Sequence, residues 1–185
     1  MKTALLDVDG VIRNWVVSVE TFYALEFPQK RIIKPFLQWD VSVNFPDHSP
    51  SDFWTWVYNS PSSYDMSYYA PEYPFVAKII KKLNQHCKVS ICTYQPSQAC
   101  KAATLEWLEL RDIAYSDIIF AKEKWNYQGI LIDDALHNVE KHLEMHGPNS
   151  AILMDQPWNS ISSNHDIENC RVKTLDEALV KIKSL

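Results

Sequence analysis

Apolar positions along this chain fall into two kinds of pattern. Residues 4–9, 88–93, 117–121, 129–134 and 151–155 are short runs with no polar alternation. Runs of this length predict strands buried on both faces, as in a parallel sheet. Four of the five close on Asp or Thr, which places polar groups at the carboxyl ends of the strands. Between the runs the period changes to that of a helix. Residues 74–85 carry Phe75, Ile79, Ile80 and Leu83 on one face, with Pro74 suited to a first turn. Residues 98–110 put Trp107 and Leu108 on an inner face, and residues 135–146 close at Gly147. Thr174 and Glu177 have capping-box spacing for a last helix. This alternation predicts an α/β fold with a doubly wound, Rossmann-like parallel sheet.

Residues 13–73 depart from the alternation. They contain no buried-strand run, six prolines, and four of the seven tryptophans, Trp15, Trp39, Trp54 and Trp56. A structureless connection of this length does not suit a compact domain. Ser49-Pro50-Ser51-Asp52 reads as a helix start. We therefore expect a small helical cap at 13–73, inserted after the first strand of a core formed by 1–12 and 74–185.

Composition narrows the function. A chain of 185 residues, 46% hydrophobic and 22% charged, has enough apolar material for one main domain with an insertion. It has only three glycines, Gly10, Gly129 and Gly147, all far apart. Glycine-rich dinucleotide loops and P-loops are thereby excluded. A net charge of −5 without a basic run argues against nucleic acid as a partner. No apolar stretch of 18 residues is present, so no membrane partner is expected. Two aspartates interrupt the N-terminal run before it reaches signal-peptide length. Cys87, Cys92, Cys100 and Cys170 form no CxxC pair, which argues against a zinc ribbon. The expectation is a cytoplasmic protein with reduced thiols.

The strand ends carry the chemistry. Ligands of open parallel sheets bind beyond the carboxyl ends of the strands. Asp7 and Asp9, two residues apart, should leave the first strand on one side, and Asp133 and Asp134 end the fourth. Four converging carboxylates need a cation, and all-oxygen ligands favour Mg²⁺. A phosphate dianion can then approach, with one carboxylate as nucleophile and another as general acid. Thr93 offers a hydroxyl at the end of the second strand. Lys122 and Lys124 follow the third and are the lysines able to hold phosphate.

These residues resemble a known pattern. Asp7-Val8-Asp9-Gly10-Val11, Ile91-Cys92-Thr93, a lysine after the third strand, and Leu131-Ile132-Asp133-Asp134 are similar, in order, to the four motifs of the haloacid dehalogenase superfamily of phosphotransferases. Together with Asp155-Gln156-Pro157-Trp158-Asn159 they resemble the 5′(3′)-deoxyribonucleotidase family, whose members carry a helical cap after strand one. The resemblance implies Mg²⁺-dependent hydrolysis of nucleoside monophosphates through an aspartyl-phosphate. It implies Asp7 as nucleophile and metal ligand, and Asp9 as general acid/base with its carbonyl on the metal. It further implies Thr93 as the phosphate-binding hydroxyl, and Asp134 as side-chain metal ligand supported by Asp133. The family has an acidic residue before its lysine and a glycine five after it. Glu123 and Gly129 give that spacing to Lys124 rather than Lys122. Trp15 and Trp39 match cap aromatics that line the base pocket. Tyr94 stands where the family often has Ser, and Ala135-Leu136 where it often has a charged residue and Pro; both bear on substrate choice. The expected partner is a small nucleoside monophosphate, with a homodimer left open.

Plainer readings stand beside these. Asp155 and Trp158-Asn159 fit a structural role in the last loop. His142 and His146 have i,i+4 spacing but no third ligand, and read as an exposed helix end. Cys92 should face the core, away from Thr93. Three rival functions remain: a superfamily phosphatase for another small phosphate ester, a nucleotide-binding protein without turnover, and a DNA 3′-phosphatase, which the acidic charge disfavours.

Overall fold

The protein is described by a computed structural model covering residues 2–160 and 165–184. Six parallel strands form one sheet: β1 (Thr3–Leu6), β2 (Lys88–Thr93), β3 (Asp117–Phe120), β4 (Ile130–Asp133), β5 (Ala151–Met154) and β6 (Arg171–Val172). Their spatial order is β3-β2-β1-β4-β5-β6. The chain winds outward from β1 in one direction and, starting at β4, in the other. The switch point of this α/β sheet lies between β1 and β4, where such sheets open a crevice for ligands.

The continuous apolar runs are explained by burial on both faces. Ala4 and Leu6 of β1, Val89 and Ile91 of β2, and Ile130 and Ile132 of β4 enter one core. Leu5, Cys92 and Leu131, from the alternate positions, enter another. Helices α4 (Val76–Leu83), α5 (Gln98–Leu110) and α8 (Leu175–Ser184) cover the first face through Ile79, Ile80, Trp107, Leu108 and Leu179. Helices α6 (Leu136–His146) and α7 (His165–Cys170) cover the second through Val139 and Ile167. Gly147, at φ +85°, ends α6 as expected. Thr174 accepts from the Glu177 N–H at 3.2 Å at the start of α8.

Several boundaries moved. The first helix after the insert begins at Val76, because Phe75 sits at φ +64° and keeps Pro74 out of the helix. β1 stops at Leu6, so Asp9 lies in a turn rather than on the strand. β6 was not read from the sequence, since two residues carry no period. His142 is buried rather than exposed: its Nε2 lies 3.0 Å from the Gly129 carbonyl oxygen. Cys92 is buried in the sheet core as expected, and all four cysteines are free and buried. Among the described residues no helix is long and apolar enough to cross a membrane.

Residues between β1 and β2 fold into α1 (Trp15–Glu26), a 3-10 turn (Val41–Asn44), α2 (Pro50–Asn59) and α3 (Ser63–Tyr68) around a core of their own. Ser49 caps α2, its hydroxyl accepting from the Asp52 N–H at 3.1 Å. Tyr23, Phe45 and Phe53 pack at the centre, with Phe45 and Phe53 stacked at 4.5 Å. This aromatic packing accounts for the richness in Trp and Phe.

Candidate active site

The ends of β1, β2 and β4 and the turn after β3 meet at the switch point. Asp7 follows β1 directly, and its backbone N–H donates to the Ile132 carbonyl of β4 at 3.0 Å. Its Oδ1 accepts from the Val8 N–H at 2.8 Å, and its Oδ2 pairs with Lys124 Nζ at 2.6 Å. Lys124 lies in a 3-10 turn after β3 and is buried. Its ammonium also donates to Asp133 Oδ2 at 2.8 Å. Lys122 is exposed at the rim of the same cavity. The structure therefore brings Lys124, and not Lys122, to the acids.

The two aspartates of β4 have different surroundings. Asp133 is fully buried and engaged at both oxygens. Oδ1 accepts from the Ala135 N–H at 2.8 Å, and Oδ2 accepts from Asn138 Nδ2 at 3.1 Å as well as from Lys124. Asp134 Oδ2 accepts from the Trp158 indole at 2.8 Å, while its Oδ1 is buried with no hydrogen-bonding partner. An unpaired buried carboxylate oxygen is costly unless a cation meets it. Gly10 permits this approach: at φ +76°, a Cβ here would lie 2.1 Å from Asp134 Oδ2.

Three of the four predicted carboxylates converge. One oxygen from each of Asp7, Asp133 and Asp134 lies within 4.8 Å of the others. Asp9 is not in this cluster. The turn at Gly10 directs its side chain to Arg13, whose Nε and Nη2 donate to its two oxygens at 2.7 and 3.0 Å. Gln95 Nε2 adds a third bond at 2.9 Å. The expectation that Asp7 and Asp9 leave a strand side by side is corrected here, because the strand ends first.

The electrostatics of the cluster are those of a cation site. Three buried carboxylates face one buried ammonium, so their full ionisation would leave two negative charges uncompensated. Burial, followed by repulsion from Asp133, pushes the Asp7 carboxyl up to about 7 despite Lys124. Burial and the Asp133 and Asp7 charges raise Asp134 well above the usual carboxylate range. Burial disfavours the Lys124 ammonium, yet Asp133 and Asp7 outweigh it and keep that group charged beyond the ordinary lysine range. The all-oxygen donors, the doubly negative charge and the unpaired Asp134 oxygen fit a hard divalent cation.

A cavity of about 450 Å³ opens above these groups. Asp7, Thr93, Lys124 and Asp134 form its floor, and Trp15, Trp39, Trp54 and Tyr58 of the insert form a wall. Thr93 is buried at the end of β2, and Tyr94 beside it is exposed at the cavity edge. Trp15, Trp54 and Tyr58 lie nearly parallel: Trp15 and Trp54 differ by 4°, Trp54 and Tyr58 by 14°. Trp39, half exposed, meets His137 of α6 edge-on at 5.3 Å and bridges insert and core across the cavity. Both predicted aromatics, Trp15 and Trp39, thus line the same cavity as Asp7, Thr93 and Lys124. Tyr58, Trp54, His137, Asn138, Arg13 and Gln95 were missed. Only Trp54 carried a signal, as the first of two tryptophans following the predicted helix start.

The last loop does more than the structural role expected of it. Arg171 Nη1 of β6 pairs with Asp155 Oδ1 at 3.0 Å, and Asn159 Nδ2 donates to the Met154 carbonyl at the end of β5 at 2.8 Å, which ties the loop to the sheet. Asn159 also donates to the Asp134 carbonyl at 2.7 Å, and the Trp158 indole orients the Asp134 side chain.

Comparison with known proteins gives a family and a fold. Residues 2–184 match the family described as 5′ nucleotidase, deoxy (pyrimidine), cytosolic type C protein. The chain belongs to that family. It is a hydrolase, a phosphatase of the nucleotidase type on a haloacid dehalogenase fold. No curated protein sequence matches it. Solved structures share the fold at low identity. A haloacid dehalogenase-like hydrolase from Streptococcus pneumoniae superposes with a TM-score of 0.66 at 14% identity, covering 97% of each chain. A haloacid dehalogenase-like hydrolase from Bacillus subtilis, solved with magnesium, gives 0.61 at 12% identity over 98% of each chain. The L-2-haloacid dehalogenase from Xanthobacter autotrophicus gives 0.60 at 10% identity, over 100% of this chain and 99% of that one.

Proposed function

We propose that this nucleotidase-family protein is a Mg²⁺-dependent phosphomonoesterase. Its substrates are deoxyribonucleoside monophosphates, hydrolysed to nucleoside and phosphate through an aspartyl-phosphate. The observation carrying this reading is the single cavity that joins an aromatic wall to the Asp7–Lys124–Asp134 floor. A base stacked on Trp15 or Trp39 would gain about 1–3 kcal/mol and leave its phosphate over the acids. We read 1–12 and 74–185 as the catalytic core, 13–73 as the cap, and the four free thiols as fitting a cytoplasmic setting.

A carboxylate oxygen of Asp7 attacks phosphorus, forming the P–O bond to Asp7 as the P–O bond to the nucleoside breaks. Asp9, protonated at the one Oδ1 lone pair that Arg13 and Gln95 leave free, gives that proton to the departing nucleoside oxygen. Asp9 then takes a proton from water, whose oxygen attacks the same phosphorus and releases Asp7 and phosphate. Lys124 and Thr93 hold the phosphoryl oxygens. The cation would be held by the Asp7 and Asp134 carboxylates, with Asp133 steadying Lys124. When bound, it neutralises the surplus acid charge and polarises the phosphoryl group. The magnesium in the Bacillus subtilis neighbour favours Mg²⁺.

The test is phosphate release from ribo- and deoxyribonucleoside monophosphates and p-nitrophenyl phosphate, with Mg²⁺ or with EDTA. Mg²⁺-dependent release from deoxynucleotides is expected. Release from the aryl ester alone would point to another small phosphate ester. Tight nucleotide binding without release would point to a binding protein.

The acid cluster also predicts a pH-dependent stability. Asp7 titrates at about 7 when folded, against an ordinary 3.8, so metal-free folded protein binds more protons than unfolded chain between these values. Its stability therefore falls as pH rises through that window. A cation that holds Asp7 ionised reverses the loss. Saturating Mg²⁺ should raise Tm by about 5 °C at pH 8 but only about 1 °C at pH 5. Equal shifts at both pH values, or the full shift in Asp134→Asn, would contradict the assignment.

A further inference from the structure

Arg13 is a wholly buried cation that the chemistry above does not use. It sits where the two connections of the insert cross. Asn14 N–H donates to the Pro71 carbonyl at 2.8 Å, and Tyr73 N–H to the Ile12 carbonyl at 3.0 Å. The backbone of Arg13 forms an antiparallel β-bridge with that of Glu72 between these pairs. Its guanidinium is committed in three directions. Nη1 donates to the Ser67 carbonyl of α3 at 3.1 Å, and Nη2 to Thr104 Oγ1 of α5 at 3.2 Å. The third direction is the two-pronged pair with Asp9. The ring of Trp107 lies 5.4 Å from the guanidinium.

We propose that Arg13 is a positioning residue for Asp9. Its planar fork fixes the plane of the Asp9 carboxylate at the cavity wall. Because the same guanidinium is anchored on α3 and α5, it sets that plane from the docked position of the insert. The inference rests on the reading above, in which Asp9 moves protons at the leaving oxygen. Asp9 is the one acid of the site that neither Lys124 nor the buried cluster holds. Its side chain is 29% exposed on the cavity and would otherwise sample several rotamers. A fork of two N–H donors matches a carboxylate in one plane, which an ammonium does not do. Gln95, buried on the loop after β2, braces Asp9 Oδ2 from the opposite element and touches Thr93 Oγ1 at 3.4 Å.

A mere staple for the insert would behave differently. Trp15 begins α1 two residues after Arg13. Loosening the crossing would shift the aromatic wall and raise KM, whereas a misaligned Asp9 lowers kcat and leaves KM alone. The experiment measures kcat and KM for wild type, Arg13→Lys, Gln95→Ala and Asp9→Asn on the best nucleotide with Mg²⁺. Each single substitution is repeated on the Asp9→Asn background, and folding is checked by circular dichroism. Arg13→Lys should lower kcat about 30-fold and Gln95→Ala about 5-fold, with KM within about 2-fold of wild type. Neither should slow the Asp9→Asn protein further. A KM that rises as kcat falls, or losses that add on that background, would leave Arg13 a staple and overturn the proposal. Should Arg13→Lys fail to fold, an unchanged kcat in Gln95→Ala overturns it and a kcat-only loss supports it. A wild type without phosphate release, or a fully active Asp9→Asn, overturns the reading of the site and this inference with it.

Discussion

Asp7→Asn abolishes phosphate release from every substrate that wild type accepts, lowering kcat by at least about 10⁴-fold. The carboxamide fills the same volume but offers no anionic oxygen to attack phosphorus. The same substitution has an opposite effect on stability. In EDTA at pH 8, Asp7→Asn should melt no lower than wild type, and by a few degrees higher. Asp7 loses its pair with Lys124, but Lys124 keeps Asp133 at 2.8 Å. What disappears is a carboxylate that burial and Asp133 push up to about 7. Removing an ionised group that its surroundings disfavour stabilises the fold above that pH. The gain should vanish in Mg²⁺, where wild type recovers its cation and the variant binds one poorly. Turnover within tenfold of wild type, in folded protein, would remove Asp7 from the nucleophile role. A variant that melts well below wild type in EDTA would mean that the Asp7–Lys124 pair outweighs the surplus charge.

What the sequence makes legible here follows from which forces are local. Asp7, Thr93 and Asp133 stand at ends of strands whose apolar runs are unbroken, so the period alone carries them to the ligand-binding edge of the sheet. Lys124 is distinguishable from Lys122 only through the resemblance, by Glu123 and Gly129. In the structure the difference is burial, since one ammonium lies among carboxylates and the other in solvent. Asp9 departs from the expected side because β1 ends at Leu6, before either aspartate is reached, so a two-residue spacing no longer means a shared side. Arg13 and Gln95 left no trace in the pattern. Gln95 meets Asp9 across 86 residues of chain, and no periodicity encodes such a meeting. Trp158 reads from the sequence as holding the last loop together, because its indole N–H reaches Asp134 through a single bond across 24 residues of chain. The aromatics of the insert were legible as a group but not individually. Trp15 and Trp56 have the same composition signal, yet one faces the cavity and the other packs inside against Tyr23 and Phe27.

Lys124→Met should lower kcat about 10³-fold and also destabilise the protein, while Lys122→Ala changes kcat less than about 3-fold and Tm hardly at all. Methionine keeps the length of the buried stem, so packing is nearly preserved and the measured loss is that of the charge. Two consequences follow from the geometry. The ammonium donates to Asp7 at 2.6 Å and to Asp133 at 2.8 Å, so its loss leaves two buried carboxylates without their cation. Removing one partner of a buried ion pair costs about 3–5 kcal/mol, or about 10 °C in Tm for a chain of this size. The phosphoryl oxygens would lose their one buried cationic donor among the described residues, and Asp7 would lose the group that offsets its burial. These two losses separate in a double variant. Lys124→Met combined with Asp7→Asn removes an ammonium and one of its two carboxylates together, so its Tm should recover by several degrees over Lys124→Met alone, with activity still absent. Additive losses of stability would mean that Lys124 supports the fold through Asp133 alone. A larger kinetic loss in Lys122→Ala than in Lys124→Met would transfer the phosphate-holding role to the rim of the cavity, against everything its exposure predicts.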